Sequence, residues 1–586
     1  MAFLRNLLAT IVGLIIFSFI AFFFFLIVLG AIAASAGDEV PSVKTNSVLY
    51  LNMSGVLTER ELVDPLEELL LANSPKPIGL MNTLDAIAAA ADDDKIEGIY
   101  LESGFLQAGY SSLSEIREAL EAFKASGKFV YAYGAYISEG DYYLASVADS
   151  LFLNPEGALE INGLSANITF FKGAFDKLGV EPEIFRVGKF KSFVEPYIRT
   201  DMSDANRLQT SSMLNSAYAE FVTAVAASTR KSETEVRKIS DQMLVRLPED
   251  AEKYGLITRV AYEDEVKDLI RSETGLDEDD KINFIGLNDY YMNMGSRYST
   301  GGSNQVAVIV AEGDIIMGSG SANIAGDRFA NEIRKAANNK RIKAIVIRVN
   351  SPGGSLTASD IMWREIMKAK EKKPVIASMG DVAASGGYFI SMPCDAIVAR
   401  PNTITGSIGI FGMMFNLSDM LEDKLGITHD VVNTGEYSDI MTVTRSLRPE
   451  ERAIIQQGVD RGYETFITKA AAGRGMTVQQ IEEVASGRVW TGTQALENGL
   501  VDQLGGIDDA IQLAAEKAGI EDQFSVRYMP QQKPIFEDIF NTSTQEVRNK
   551  IADEQYGDLA PFIKKLKNLK QYQGVQARLP YELEIK

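Results

Sequence analysis

A single cysteine, Cys394, and a single histidine, His429, stand in a chain of 586 residues. One thiol can close neither an internal disulfide nor a thiolate metal cluster. One imidazole cannot build a His-rich metal site, and any Ser-His-Asp triad would have to use His429. Bases are scarce as well: 58 Lys and Arg face 80 Asp and Glu, for a formal charge of -22. Such a surface repels phosphate backbones and argues against a nucleic-acid partner. No ATP-binding motif occurs, and no metal or cofactor is expected. Apolar material is plentiful: 46% of the residues are hydrophobic, which excludes disorder. At roughly 150 residues per domain, the length suggests two to four folded units.

Charge is missing altogether from the 32 residues between Arg5 and Asp38, a stretch that contains Phe22-Phe23-Phe24-Phe25. About 20 apolar residues suffice to cross a bilayer, and the stretch exceeds the roughly 7–15 residue core of a cleaved signal peptide. Ala34-Ser35-Ala36 imitates a cleavage site, but the length favours a retained signal anchor. Arg5 before the span and Asp38 and Glu39 after it place the N-terminus in the cytoplasm and the rest of the chain across the membrane.

Beyond the anchor the sequence repeats itself. Asp-Lys-Leu-Gly at 176–179 recurs at 423–426, an offset of 247. Tyr142, Asp149 and Pro155 match Tyr388, Asp395 and Pro401 at an offset of 246. Ala251-x-x-x-Gly255-Leu256 matches Ala495-x-x-x-Gly499-Leu500 at 244. Short motifs in constant order with slowly drifting spacing indicate a duplicated unit. The expected organisation is an anchor over 1–37, a first repeat over 38–295, a Ser/Gly linker over 296–304, a second repeat over 305–522 and an extension over 523–586. The extension has no assigned role; a helical contact with a neighbouring subunit is the expectation.

Within the second repeat, strands are expected at Val306–Val310, Ala344–Val349 and Val375–Met379, with helices at Phe329–Ala337 and Ala358–Lys370. Apolar strands alternating with helices indicate an α/β fold with largely parallel strands. Chemistry in such folds gathers in loops after the carboxyl ends of strands. Two loops qualify. Asn350-Ser351-Pro352-Gly353-Gly354-Ser355 follows one strand, and Gly380-Asp381-Val382-Ala383-Ala384-Ser385-Gly386-Gly387-Tyr388 follows another. Alone, either is as well explained by a tight turn or a helix cap. Together they supply a hydroxyl, Ser385, and two N–H donors, Gly354 and Gly386, which is the equipment of acyl transfer. The base is left open between His429 and a lysine made basic by burial.

These loops, with Thr405-Gly406-Ser407-Ile408-Gly409 and Lys191-Ser192-Phe193-Val194-Glu195-Pro196-Tyr197, resemble the signal peptide peptidase A family in its long, membrane-anchored, duplicated form. The resemblance covers essentially the whole chain. It implies two tandem ClpP/crotonase-like repeats and a serine protease with a Ser/Lys dyad. Ser385 matches the nucleophile, Lys191 the general base and Ser407 a serine that orients the lysine. Gly354 and Gly386 match the oxyanion donors. It further implies apolar signal-peptide remnants as substrates, a homotetramer, and an inner-membrane location with the catalytic part on the periplasmic side.

Repeat arithmetic divides the labour. Ser385 falls on Glu139 in the first unit, and Lys191 falls on Ser438 in the second, so each unit is incomplete alone. Ser138 beside Glu139 lacks a glycine loop, and Lys189 would share a face with Lys191 on an extended segment. The apolar run Ile408–Phe415 reads as core or as the wall of a peptide groove. Two other classes compete with the protease: a crotonase-like acyl-CoA enzyme and a catalytically silent membrane scaffold. Labelling of serine by a fluorophosphonate separates them.

Overall fold

The computed structural model describes residues 5–6, 10, 12–24, 42–61, 77–294, 303–320, 323–530 and 574–579. Residues 12–24 form an exposed helix, and among the described residues no helix is long and apolar enough to cross a membrane. Most of the span expected over 1–37, and the linker over 296–302, lie outside the described residues.

Each unit is built on a mostly parallel sheet. In the first, the order is Ile78–Gly79, Ser47–Thr58, Ile96–Gln107, Phe129–Ile137, Ser150–Leu159 and Arg259–Val260, with Asn283–Gly286 also against Ser47–Thr58. In the second it is Val489–Thr491, Ile404–Gly406, Val375–Ala384, Ile342–Ser351, Gln305–Glu312 and Ser525–Met529; Ala396–Ala399 branches from Val375–Ala384 and carries Gln503–Leu504. The strands expected in the second unit are present and longer than their apolar cores: Gln305–Glu312, Ile342–Ser351 and Val375–Ala384. The helices are Gly326–Asn338 and Leu356–Lys370.

The duplication is written in hydrogen bonds. The hydroxyl of Tyr142 donates to the carbonyl of Leu256 at 2.7 Å, and that of Tyr388 donates to the carbonyl of Leu500 at 3.0 Å. The carboxylate of Asp149 accepts the N–H of Val130 at 2.9 Å, and Asp395 accepts that of Val375 at 2.8 Å. The matched residues thus do the same work in both units.

The units are not separate globules. One apolar cluster joins Leu84, Ile116 and Leu120 of the first to Val306, Val346, Ile376 and Ile511 of the second. Inside this contact, Arg348 donates from Nε to Glu59 at 2.8 Å and from Nη2 to Glu115 at 2.6 Å, with all three side chains no more than 3% exposed. Burial opposes the guanidinium's charge, but Glu115 and Glu59 more than offset it and raise its pKa. A third sheet is shared by construction. Its order is Ile324–Ala325, Ile315–Ile316, Gly353–Ser355, Gly574–Arg578, Ile410–Asn416 and Glu181–Val187, the last from the first unit. The extension therefore contributes strands at Ser525–Met529 and Gly574–Arg578; residues 531–573, in which a helical contact with a neighbour is expected, lie outside the described residues.

Candidate active site

The strand Val375–Ala384 is buried through most of its length because a central parallel strand is covered on both faces. It delivers Ser385 to a sharp bend with φ 55° and ψ -110°, after which Gly386–Ser391 turns into a short helix. A serine held at positive φ is strained, a condition that persists only where surrounding structure imposes it. Here the Ser385 N–H donates to the carbonyl of Gly406 at 2.8 Å, which fixes the bend against the neighbouring strand.

Lys191 reaches this serine from the other unit. The strand Glu181–Val187 pairs antiparallel with Ile410–Asn416, and the chain then turns at Gly188, φ 102°. The turn separates the two lysines that an extended segment would have placed on one face. Lys189 stays exposed with its ammonium 5.1 Å from the Phe190 ring centroid, while Lys191 is 0% exposed. Its Nζ lies 2.8 Å from Ser385 Oγ and 3.0 Å from both the carbonyl and the Oγ of Ser407. All three partners are neutral, and burial pulls its pKa well below the ordinary lysine value. Ser407, itself at φ 51°, thus gives the amine two fixed partners besides Ser385.

The glycine loop lies against the serine bend. Gly353 and Gly354 have φ 99° and 153°, and Cβ atoms there would come within 2.1 Å of the carbonyl oxygens of Ala577 and Ile315. A Cβ on Gly386 would lie 3.1 Å from Gly353 Cα and from the Ala577 oxygen, so the two loops meet in one small space. The glycine that directly abuts Gly386 is Gly353; Gly354 is the next residue of the same loop, packed against Ile315.

The sequence reading missed the segment that clamps the pair. Phe190 N–H donates to Ser486 O at 3.0 Å, Gly487 N–H to Ile408 O at 2.8 Å, and Ser407 N–H to Arg488 O at 2.8 Å. Residues 486–488 therefore tie the lysine turn to the Ser407 loop. A Cβ on Gly487, φ 80°, would stand 2.7 Å from Lys191 N. Gly487→Ala is expected to displace Lys191, and a misplacement near 1 Å costs about 10²-fold in rate. A kcat loss of that order with Tm lowered by only a few degrees, by steady-state kinetics and calorimetry, is the expected outcome. The signal was present as Ser486-Gly487-Arg488 but had no counterpart among the quoted motifs. Asp381 was likewise missed: its carboxylate accepts the N–H and Oγ–H of Ser112 at 2.9 and 2.6 Å, seating the Ser385 loop on the first unit.

His429 does not join the site. It lies in an exposed stretch without regular structure, not at the start of a strand, whereas Ser385 is 0% exposed. Ser138 is a helix cap: its hydroxyl donates to Asp141 at 2.8 Å. In the first unit the loop matched to Gly353–Gly354 has Phe105 at φ 70°, and the Leu106 N–H donates to the Asp141 carboxylate at 3.2 Å. In the first unit this N–H is thus already taken up by the Asp141 carboxyl group. Among the described residues no group of His, Cys, Asp or Glu is placed to hold a metal ion.

A serine and a buried lysine joined across an α/β duplication define a class of serine hydrolase. Comparison with known proteins makes the class specific. The Peptidase family S49 profile matches residues 122–277 and again 367–521, and a Clp protease profile matches 300–403. The chain is 36% identical to "Protease 4" of Salmonella typhi over 90% of its own length and 87% of that protein's. It is 34% identical to "Serine protease SPPA, chloroplastic" of Arabidopsis thaliana, covering 92% of this chain and 78% of that one. Among solved structures, ClpP1 from Listeria monocytogenes aligns with 35% of this chain and 94% of its own, at 16% identity and a TM-score of 0.23. The chain belongs to peptidase family S49 and is a serine protease.

Proposed function

We propose that Ser385 is the nucleophile and Lys191 the general base of this protease, each supplied by a different repeat. The observation that carries the reading is the 2.8 Å contact between Lys191 Nζ and Ser385 Oγ in a site where the amine meets no anion. Neutral Lys191 accepts the Ser385 proton as Oγ attacks the peptide carbonyl. The oxyanion is held by the N–H groups of Gly354 and Gly386. Lys191 then gives its proton to the leaving amine and activates the water that hydrolyses the acyl-enzyme. Ser407 keeps the amine directed at Ser385.

The substrates are extended apolar peptides, and remnant signal peptides have that chemistry. The N-terminal apolar stretch anchors the chain in the inner membrane, with the protease on the extracytoplasmic side. A homotetramer is part of the same reading: Ile427, Val431 and Val432 are exposed, Val432 at 94%, a surface that a second copy covers well. Val432→Asp is expected to shift the protein to smaller species in sedimentation velocity. Peptidase activity on an apolar reporter peptide, with Ser385→Ala, Lys191→Ala, Lys189→Ala and His429→Ala compared, tests the dyad. Loss confined to the first two supports it, and loss in His429→Ala alone overturns it.

A further inference from the structure

Lys191 has φ -76° and ψ 75°, and the N–H of Ser192 donates to the carbonyl of Phe190 at 2.8 Å. Lys191 is therefore the central residue of an inverse γ-turn, and that turn sets the direction in which its side chain leaves the backbone. One backbone bond holds such a turn from within. Further support comes from Gln209 on the helix Asp204–Thr229. Gln209 Nε2 donates to the Phe190 carbonyl at 3.1 Å and to Ser192 Oγ at 3.0 Å, one contact on each side of Lys191. Its Oε1 accepts the N–H of Val489 at 3.4 Å, from the second unit. Gln209 is 1% exposed, and Lys191 and Ser192 are wholly buried.

The helix that carries Gln209 is itself tied to both sides. The buried carboxylate of Glu195, four residues beyond Lys191, accepts the N–H of Ser203 at 3.1 Å and the Nδ2–H of Asn206 at 3.2 Å, which fixes the first turn of the helix to the segment after the lysine. Further along, Ser212 Oγ accepts Gln494 Nε2–H at 3.0 Å, and Ser216 Oγ donates to Thr491 Oγ1 at 3.3 Å, so the helix also rests on the second unit. Gln209 stands where the two sets of ties meet. A buried amide left without its partners costs about 1–3 kcal/mol, so its bonds constrain the groups they join. The amide is also uncharged: it grips the lysine turn without supplying an anion that would hold Lys191 protonated.

We propose that Gln209 is a positioning residue for the protease reaction: by locking the γ-turn to the second unit it aims Lys191 Nζ at Ser385 and keeps water from the amine. The proposal rests on the Ser385/Lys191 reading. In the full-length protein, Gln209→Leu removes the amide at nearly the same size. Gln209→Glu keeps an acceptor for the Val489 N–H but turns a second oxygen toward the Phe190 carbonyl. With the turn released, water reaches Lys191, and its pKa moves back up toward the ordinary lysine value. The rising limb of kcat/KM against pH is therefore expected to move up by about one pH unit in both variants, a roughly tenfold loss on its acid side. The loss is expected in kcat, with KM for an apolar reporter unchanged, because the proton transfer alone is impaired. Ser212→Ala removes the neighbouring tie to Gln494 and leaves the lysine turn bonded, so its profile is expected to match the wild type. A limb that stays in place in both Gln209 variants, or that moves as far in Ser212→Ala, overturns the proposal. So does a Gln209→Glu chain that calorimetry finds unfolded, since the amide would then hold the fold instead of the base. Full activity in Lys191→Met overturns the dyad and this proposal together; an inactive Lys191→Met beside unshifted Gln209 variants removes this proposal alone.

Discussion

Lys191→Met is expected to abolish peptidase activity while making the protein more stable. With Lys191 as the proposed general base, the expected loss is about 10²–10⁴-fold, and Lys191→Arg is expected to fare no better because its guanidinium stays charged. The gain follows from proton linkage. The folded-state pKa of Lys191 is lowered by burial, so between that value and the unfolded value near 10.4 the unfolded chain binds more protons. Stability in this window rises with pH, and at neutral pH the lysine opposes folding. Methionine has a similar shape and no charge to desolvate. The same pKa governs the rate: protonated Lys191 cannot accept the serine proton, so kcat/KM of the wild type is expected to rise with pH through the lowered value. Calorimetry of Lys191→Met beside a pH–rate profile of the wild type checks both halves. A variant that is inactive and also less stable than wild type would remove the burial argument.

Arg348→Met is expected to produce the largest loss of stability, and the loss is expected to depend on pH. Removing one partner of a buried ion pair leaves the other uncompensated, at about 3–5 kcal/mol. Here two carboxylates are stranded, Glu59 and Glu115, and both belong to the unit that also supplies Lys191. Burial already raises the pKa of Glu59, and burial with the neighbouring Glu59 pushes Glu312 up to about 7. For acids whose folded pKa is raised, the stabilising contribution is present below the unfolded value near 4.3 and is lost as pH rises through the folded one. The variant should therefore be least impaired near pH 5 and most impaired near pH 8. Urea unfolding at those two pH values measures it, and a pH-independent loss would point to packing instead of charge.

The interlock also explains why a site divided between repeats can be accurate. Arg348 fixes the strand Ile342–Ser351, which runs straight into the glycine loop, against Glu59 and Glu115 of the first unit. Asp381 fixes the Ser385 loop to Ser112 in the same way. Relative movement of the units would alter the 2.8 Å contact between Lys191 and Ser385, so these polar ties hold the catalytic distance as well as the fold.

Features set by neighbours along the chain were legible in the sequence. Runs of Val and Ile made the strands recognisable, paired glycines marked the loop at 353–354, and spacing revealed the duplication and the complementary loss of Ser385 and Lys191 equivalents between its halves. Choosing Lys191 over Lys189 needed the family motif, because the turn at Gly188 is invisible to a two-residue alternation. Three things were decided only by tertiary structure. Residues 486–488 reach the lysine from nearly 300 positions away in the chain; the charged triad at Arg348 spans both units; and Gly574–Arg578 fills a gap in a sheet whose other strands come from both repeats. Each is a contact between segments far apart in sequence. Periodicity records which face of an element is apolar, but not which distant backbone will complete its hydrogen bonds.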